Sequence, residues 1–428
     1  MQTDLSLRQT LPVWWKVAFL SFGGPAAQIA VMQRLIAEEK GWIGQDRFNH
    51  ALNFCMLLPG PEAQQLATYL GWLMHGVRGA LIAGIIFILP GAAVMLGLSL
   101  LYVTIGQVGA VEGLLLGLKC AVLAIVAQAL LRMSGKVVQG LAAGLLAGAS
   151  FAAMFFFSLP FPLVILAAGL IGIWLFRQAG TTITESVDTP VMGKSVWRWT
   201  LLAWLGPLVV LALVLGPRSV WTELATLFSL LATLSFGGAY AALAWVAQFA
   251  VESRDWLMAG EMLDGLGLAE TTPGPLILVT QFVGFLAAWR DPGTLLDPLL
   301  AGSLGAMLTT WMVFAPSFLW IFLFAPHVER LRGNARISAA LRGITAAVVG
   351  VIANLAAWFA INLLFAETRP VDYLGMDFDL PVATSVDPWA LALTSLAAVL
   401  LFLTRLGLVG TVLGMALIGL ALNLAGVV

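Results

Sequence analysis

Charge is what this chain has least of: Asp, Glu, Lys and Arg make up 10% of 428 residues, and the formal net charge is −1. So sparse and balanced a set, without a basic cluster, offers no footprint for a nucleic acid partner. Cysteine is nearly absent too. Cys55 and Cys120 both fall inside apolar runs, which excludes a disulfide framework and leaves them as small core residues. The three histidines, His50, His75 and His327, are scattered near segment ends without H-E-x-x-H spacing. No metal, no cofactor and no membrane-embedded enzyme is expected from such a set. The stretch "MQTDLSLRQTLPVWWKVAFLSF" lacks a short apolar run closed by a small-residue cleavage site, so it reads as a retained first helix.

What is abundant is apolar surface, at 61% of residues with a mean hydropathy of +0.97. That places the chain in the lipid bilayer. The spans are helices, because every backbone N–H and C=O in hydrocarbon must be satisfied within its own segment. Thirteen apolar segments can be counted, near 11–36, 48–75, 78–103, 106–133, 137–157, 160–177, 199–216, 221–249, 258–288, 298–325, 336–365, 388–404 and 406–427. The fold class is therefore an all-α polytopic membrane protein of about 13 transmembrane helices. Two long polar connections, from Arg177 to Arg198 and from Ala366 to Asp387, read as extramembrane loops. If every segment crosses once, Lys and Arg concentrate on the N-terminal side, while the other side receives Asp372, Asp377, Asp379 and Asp387. The positive-inside rule then places the N-terminus in the cytoplasm.

The chain repeats itself. "LSFGG" occurs at Leu20–Gly24 and at Leu234–Gly238, and Pro59-Gly60-Pro61 and Pro273-Gly274-Pro275 are separated by the same 214 positions. Farther on the offset becomes 226, pairing Pro90 with Pro316, Gly117 with Gly343 and Gln128 with Asn354. The division is 1–177 for one repeat, 178–220 for a linker loop plus connecting helix, and 221–428 for the second repeat. An odd number of crossings between the copies makes the repeats inverted; one re-entrant segment would make them parallel.

All four motif copies lie near mid-segment, hence near the bilayer midplane. Pro-Gly-Pro removes two backbone donors and drives the residue before each proline out of helical geometry, so the segment splits into half-helices. Unwound backbone at that depth is tolerated only when buried in protein or lining a water-filled cavity. Broken helices at matching places in two repeats point to a transporter's substrate site. The bland alternative is packing, with Gly-Gly as a contact face and Pro-Gly-Pro as a kink. Half-helix N-termini carry about half a positive charge and free N–H groups that suit an oxyanion. Lys119, at the centre of "LLLGLKCAVLAIV", needs a carboxylate, carbonyls or a bound anion, since Glu112 is two turns away on the same helix. A structural interhelical pair with another acid is the competing reading. Glu62 belongs in the first turn of a half-helix, and Glu270 near the end of one. Glu270 is thus the better proton carrier, and Glu62 either a second coupling site or a cap.

The stretches "SFGGPAAQIAVMQ", "ALNFCMLLPGPEAQQLATYLGWLMH", "SFGGAYAALAWV" and "GLAETTPGPLILVTQFVGF" resemble the paired signatures of the chromate ion transporter family in its two-domain bacterial form. The resemblance implies a multi-pass carrier of the bacterial inner membrane that exports chromate using the proton motive force, with sulfate as the analogue it discriminates or exchanges. On this reading the substrate is bound around Ser21, Gly23, Gly24, Pro59, Gly60, Pro61, Lys119, Ser235, Gly237, Gly238, Thr272, Pro273, Gly274 and Pro275, and Glu62 and Glu270 carry protons. The alternatives are another tetrahedral oxyanion as substrate, or an oxyanion channel. Many members have histidine where this chain has Gln28, so no titrating role falls at that position. Oligomeric state is not legible.

Overall fold

The computed structural model describes residues 5–106, 108–176, 196–236, 238–294, 296–325, 335–373 and 375–427. Gly237, His327 and residues 177–195 of the first polar connection lie outside the described residues. Helices dominate, as the need to satisfy backbone groups in hydrocarbon requires. The first repeat contains α1 (Leu7–Leu20), α2 (Gly24–Met32), α3 (Gln45–Cys55), α4 (Glu62–Ile105), α5 (Gly109–Val137), α6 (Leu141–Phe155) and α7 (Phe161–Leu175). After α8 (Val196–Val214) the series recurs as α9 (Val220–Leu234), α10 (Ala239–Ala247), α11 (Ala259–Thr271), α12 (Val279–Arg290), α13 (Pro298–Phe324), α14 (Ala335–Leu364), α15 (Pro388–Leu403) and α16 (Gly407–Leu424). Six of these, α4, α5, α8, α13, α14 and α16, are long and apolar enough to cross a membrane, and shorter apolar helices accompany them. The protein is an all-α, polytopic membrane protein.

The duplication extends to irregularities. α2 and α10 both run on into π-helical turns, Gln33–Glu39 and Gln248–Ser253. The change of offset has a local cause: α4 reverses at His75 and Gly76 (φ +60), whereas a longer loop joins α12 to α13. α4 is therefore two antiparallel arms, 62–74 and 77–105. Gly71 and Gly79 face each other across them so closely that a Cβ on either would strike the other's carbonyl. Gly284 and Gly305 make the matching contact between α12 and α13. Among the described residues the exception to the helical pattern is the acidic connection, which forms a hairpin of β1 (Thr368–Tyr373) and β2 (Met376–Pro381). It is held by the Asp377 N–H donating to the Phe156 carbonyl at 2.7 Å.

The chain forms two compact units, and both draw on both repeats. The first comprises Met1–Ser99, Ala179–Ala239 and Thr272–Ile337. In it the segments 11–36 and 48–75 are hairpins. α1 packs against the π-helical turn Gln33–Glu39, and the rings of Phe54 on α3 and Tyr69 on the first arm of α4 lie 5.0 Å apart. At 1.5 Å per residue a continuous rod would separate those rings by roughly 20 Å. Both hairpins are rooted at the same end, where the Thr10 hydroxyl meets His75 Nε2 at 3.3 Å.

The second unit comprises Leu100–Gln178, Tyr240–Thr271 and Ser338–Val428. Its helical pairs are exchanged between repeats. α6 and α7 pack on α14 through Ala147, Gly172, Gly343 and Gly350, while α15 and α16 pack on α5, with Gly113 and Gly117 against Met415 and Gly419. Small residues at these crossings let backbones touch, the usual basis of helix association in lipid.

Candidate functional site

Both Pro-Gly-Pro breaks lie in the first unit, and they are the same turn built twice. Pro59-Gly60-Pro61 separates α3 from the first arm of α4, with Gly60 at φ +109; Gly274 has φ +107. The proline nitrogens carry no hydrogen, so the glycine N–H is the remaining donor of each tripeptide. The Gly60 N–H donates to the carbonyl of Ser235 at 2.9 Å, and the Gly274 N–H to the carbonyl of Ser21 at 2.7 Å. Each turn is thus closed by the opposite repeat. Ser21 and Ser235 are the residues at which α1 and α9 stop, with ψ of 71° and 82°, so their carbonyls lie outside the helical ladder and are free to accept.

Two glutamines complete the turns. Gln65 Nε2 donates to the Pro59 carbonyl, and Gln28 Nε2, on α2, to the Gly274 carbonyl, both at 2.6 Å. The Oε1 atoms of both glutamines are buried and accept no hydrogen bond among the described residues, and the same holds for the Ser317 hydroxyl. Ser317 is the counterpart of Gly91 at the 226 offset. Gly91 packs directly on the Pro273 carbonyl, while Ser317 and Gln65 border the space beside Gly60. Replacing Gln28 by leucine is expected to cost about 1–3 kcal/mol through the stranded Gly274 carbonyl. Gln28→Glu, which sets a carboxylate against that carbonyl, should cost more. Thermal unfolding of the detergent-solubilised protein checks both.

The sequence-expected residues fall as follows. Gly23 and Gly24 lead into α2, whose first turn contains Pro25. Ser21 turns its hydroxyl back to the Val17 carbonyl at 2.7 Å, so its carbonyl is what faces the other repeat. Gly238 lies at the start of α10, and Thr272 is buried. Glu62 opens the first arm of α4, and Glu270 is the penultimate residue of α11. Glu270 is buried and accepts a 2.7 Å hydrogen bond from the Tyr240 hydroxyl within the second unit. Lys119, also in the second unit, pairs with Asp264 on α11 at 3.3 Å, and the Tyr102 hydroxyl donates to the other oxygen of that carboxylate at 3.0 Å.

A cavity of about 230 Å³ in the second unit is lined by Glu252, Asp377 and Asp379 together with Gln248 and Asn354. Its acid lining repels a dianion.

The family model described as chromate transporter matches residues 8–173 and again 222–420. The chain belongs to the chromate transporter family. It is 31% identical over 359 residues to the chromate transport protein of Pseudomonas aeruginosa, covering 81% of this chain and 80% of that protein. Against the chromate transport protein of Cupriavidus metallidurans it is 26% identical over 350 residues, 81% of each. No solved structure matches it. Membership in a transporter family accords with the membrane fold.

Within this chromate transporter family chain, sequence reasoning passed over Asp264, Tyr102, Tyr240 and Ser317. A signal was present for some of them. The chain has four tyrosines, and two of them, Tyr102 and Tyr240, donate to carboxylates on α11. A charged residue in "EMLDGLGLAE", inside an apolar segment, needs a partner as much as Lys119 does.

Proposed function

We propose that this protein exports chromate across the bacterial inner membrane, driven by the proton motive force and so conferring chromate resistance. The observation that supports this best is the pair of Pro-Gly-Pro turns in the first unit, each locked by the other repeat in a chain of the chromate transporter family. Such turns end one helix and start another at the level where an anion must cross. The first-turn N–H groups after them have no intrahelical acceptor, and they face the substrate with the positive end of the helix dipole. In this reading Ser21, Gly23, Gly24, Pro59, Gly60, Pro61, Ser235, Gly237, Gly238, Thr272, Pro273, Gly274 and Pro275 form the substrate region. Lys119 is the cationic station of the second unit, and Glu62 and Glu270 are the proton sites.

The repeats are proposed to be inverted, with boundaries at 1–177, 178–220 and 221–428. Taking the two hairpins of the first repeat out of the crossing count leaves the number of crossings between the copies odd. Arg34, Lys40 and Arg47 then join the N-terminal side, which favours a cytoplasmic N-terminus. Energetics favour export: a dianion leaving a negative cytoplasm gains about 4.6 kcal/mol per 100 mV. Sulfate, a tetrahedral dianion of similar shape, is the second substrate to test, as competitor or exchange partner.

Labelled chromate uptake into energised inside-out vesicles tests the proposal, with and without excess sulfate and with potential and pH gradient collapsed separately. Accumulation that falls with the potential is expected; uptake no greater than in empty vesicles, from folded protein, would sink it. Glu270→Gln is expected to flatten the pH dependence of that uptake. An unchanged pH profile would move proton coupling away from Glu270.

A further inference from the structure

Lys119 and Asp264 are an unequal pair. The Asp264 side chain is 4% exposed and that of Lys119 24%, so the lysine is the less enclosed partner. Asp264 Oδ1 faces the Lys119 ammonium at 3.3 Å, whereas Oδ2 is held by the Tyr102 hydroxyl. Gly260 of α11 lies beside the ammonium, where a built Cβ would stand 3.6 Å from Lys119 Nζ. A charge pair held inside an apolar bundle contributes little to stability by itself, because desolvation offsets the attraction. Ionisable groups at such a depth mark ion pathways by default.

We infer that Asp264 is an internal stand-in for the transported oxyanion, occupying Lys119 until the anion displaces it and taking up a proton as it lets go. This rests on the reading of the chain as an oxyanion carrier and adds to it the group that links anion binding to protons. In the exchange, the Lys119–Asp264 ion pair is replaced by a Lys119–oxyanion pair. One proton from water adds to Asp264 Oδ1, and Tyr102 keeps its hydrogen bond to Oδ2. The buried site then holds one net negative charge in place of two.

The charges around Asp264 suit that step. α5 brings Lys119 and the Cys120 thiol, with Glu112 two turns before them and Arg132 and Lys136 farther along, α11 itself brings Glu261, and Asp387 caps α15 near Cys120. α16, packed against both α5 and α11, has no titratable residue. Glu261 already opposes the Asp264 carboxylate, and an arriving dianion adds to that repulsion.

The test uses the full-length protein in nanodiscs, with sulfate and chromate as probes at a pH where each is a dianion. Proton uptake is read with an indicator dye in weak buffer. The wild type is expected to take up about one proton per anion bound, and its affinity to rise roughly tenfold per unit fall in pH. Asp264→Asn should bind the anion without proton uptake, while Asp264→Glu should restore the uptake. Where Asp264→Asn folds poorly, the neutral pair Lys119→Met with Asp264→Asn serves, and it should bind at least tenfold more weakly with no uptake. Unchanged uptake in Asp264→Asn, or wild-type affinity in the neutral pair, overturns the inference alone. A wild type that binds neither probe overturns the carrier reading and this inference together.

Discussion

Alanine at Gly60 or Gly274 should abolish chromate transport and lower stability by about 1–3 kcal/mol at either site. Both residues have φ near +108°, at +109° and +107°, where a Cβ is strained whatever space surrounds it. At Gly60 the added methyl would also meet Gln65 Nε2 at 3.1 Å and the Ser317 hydroxyl at 3.4 Å. Relaxing the backbone to a negative φ would swing the glycine N–H away from the serine carbonyl of the other repeat. Strain and latch thus cannot both be accommodated, and the half-helix starts lose their placement. Gly97→Ala is the control: it lies within α4, has open space around it, and should leave both properties intact or add slightly to stability. Vesicle uptake and thermal unfolding, measured together, check the set. Wild-type transport in Gly274→Ala would mean that the turn is not part of the path.

Lys119→Met carries the second large effect. The substitution strands Asp264 as a buried carboxylate, and breaking such a pair from one side typically costs about 3–5 kcal/mol. Loss of transport in that variant alone would therefore mix folding with function. Neutralising both partners, Lys119→Met with Asp264→Asn, should recover most of the stability while transport stays lost. If the double variant transports like the wild type, the pair is a structural brace and no anion depends on it. Membrane-inserted protein level and melting temperature in detergent give the stability arm; labelled chromate uptake gives the functional one.

Hydropathy and the repeat offsets make the helical class, the paired breaks and the places of Glu62 and Glu270 on their helices legible in the sequence. They could not tell a broken helix that continues from one that folds back, because α3 and the arm 62–74 bury the same apolar residues either way. The crosswise latches were illegible for another reason: they are made by the backbone carbonyls of Ser21 and Ser235, and a carbonyl has no sequence signature. Lys119 needs a partner, and its own helix offers only Glu112, two turns away, so an acid on another helix can be expected but not named from sequence. Asp264 lies on a different helix, far along the chain, and only packing brings it to Lys119. Gln28 drew notice for the histidine it replaces, while its work is to hold the Gly274 carbonyl.

Reciprocal closure sets a condition on how such a chain can be assembled. Neither repeat contains the acceptor for its own glycine N–H, so a half-length polypeptide would bury an orphan donor at its most constrained residue. Two separate halves could form the unit only by finding each other, each supplying the other's missing carbonyl. Joining them in one chain turns an encounter between molecules into an event within one, and makes the stoichiometry of the two turns a property of the gene.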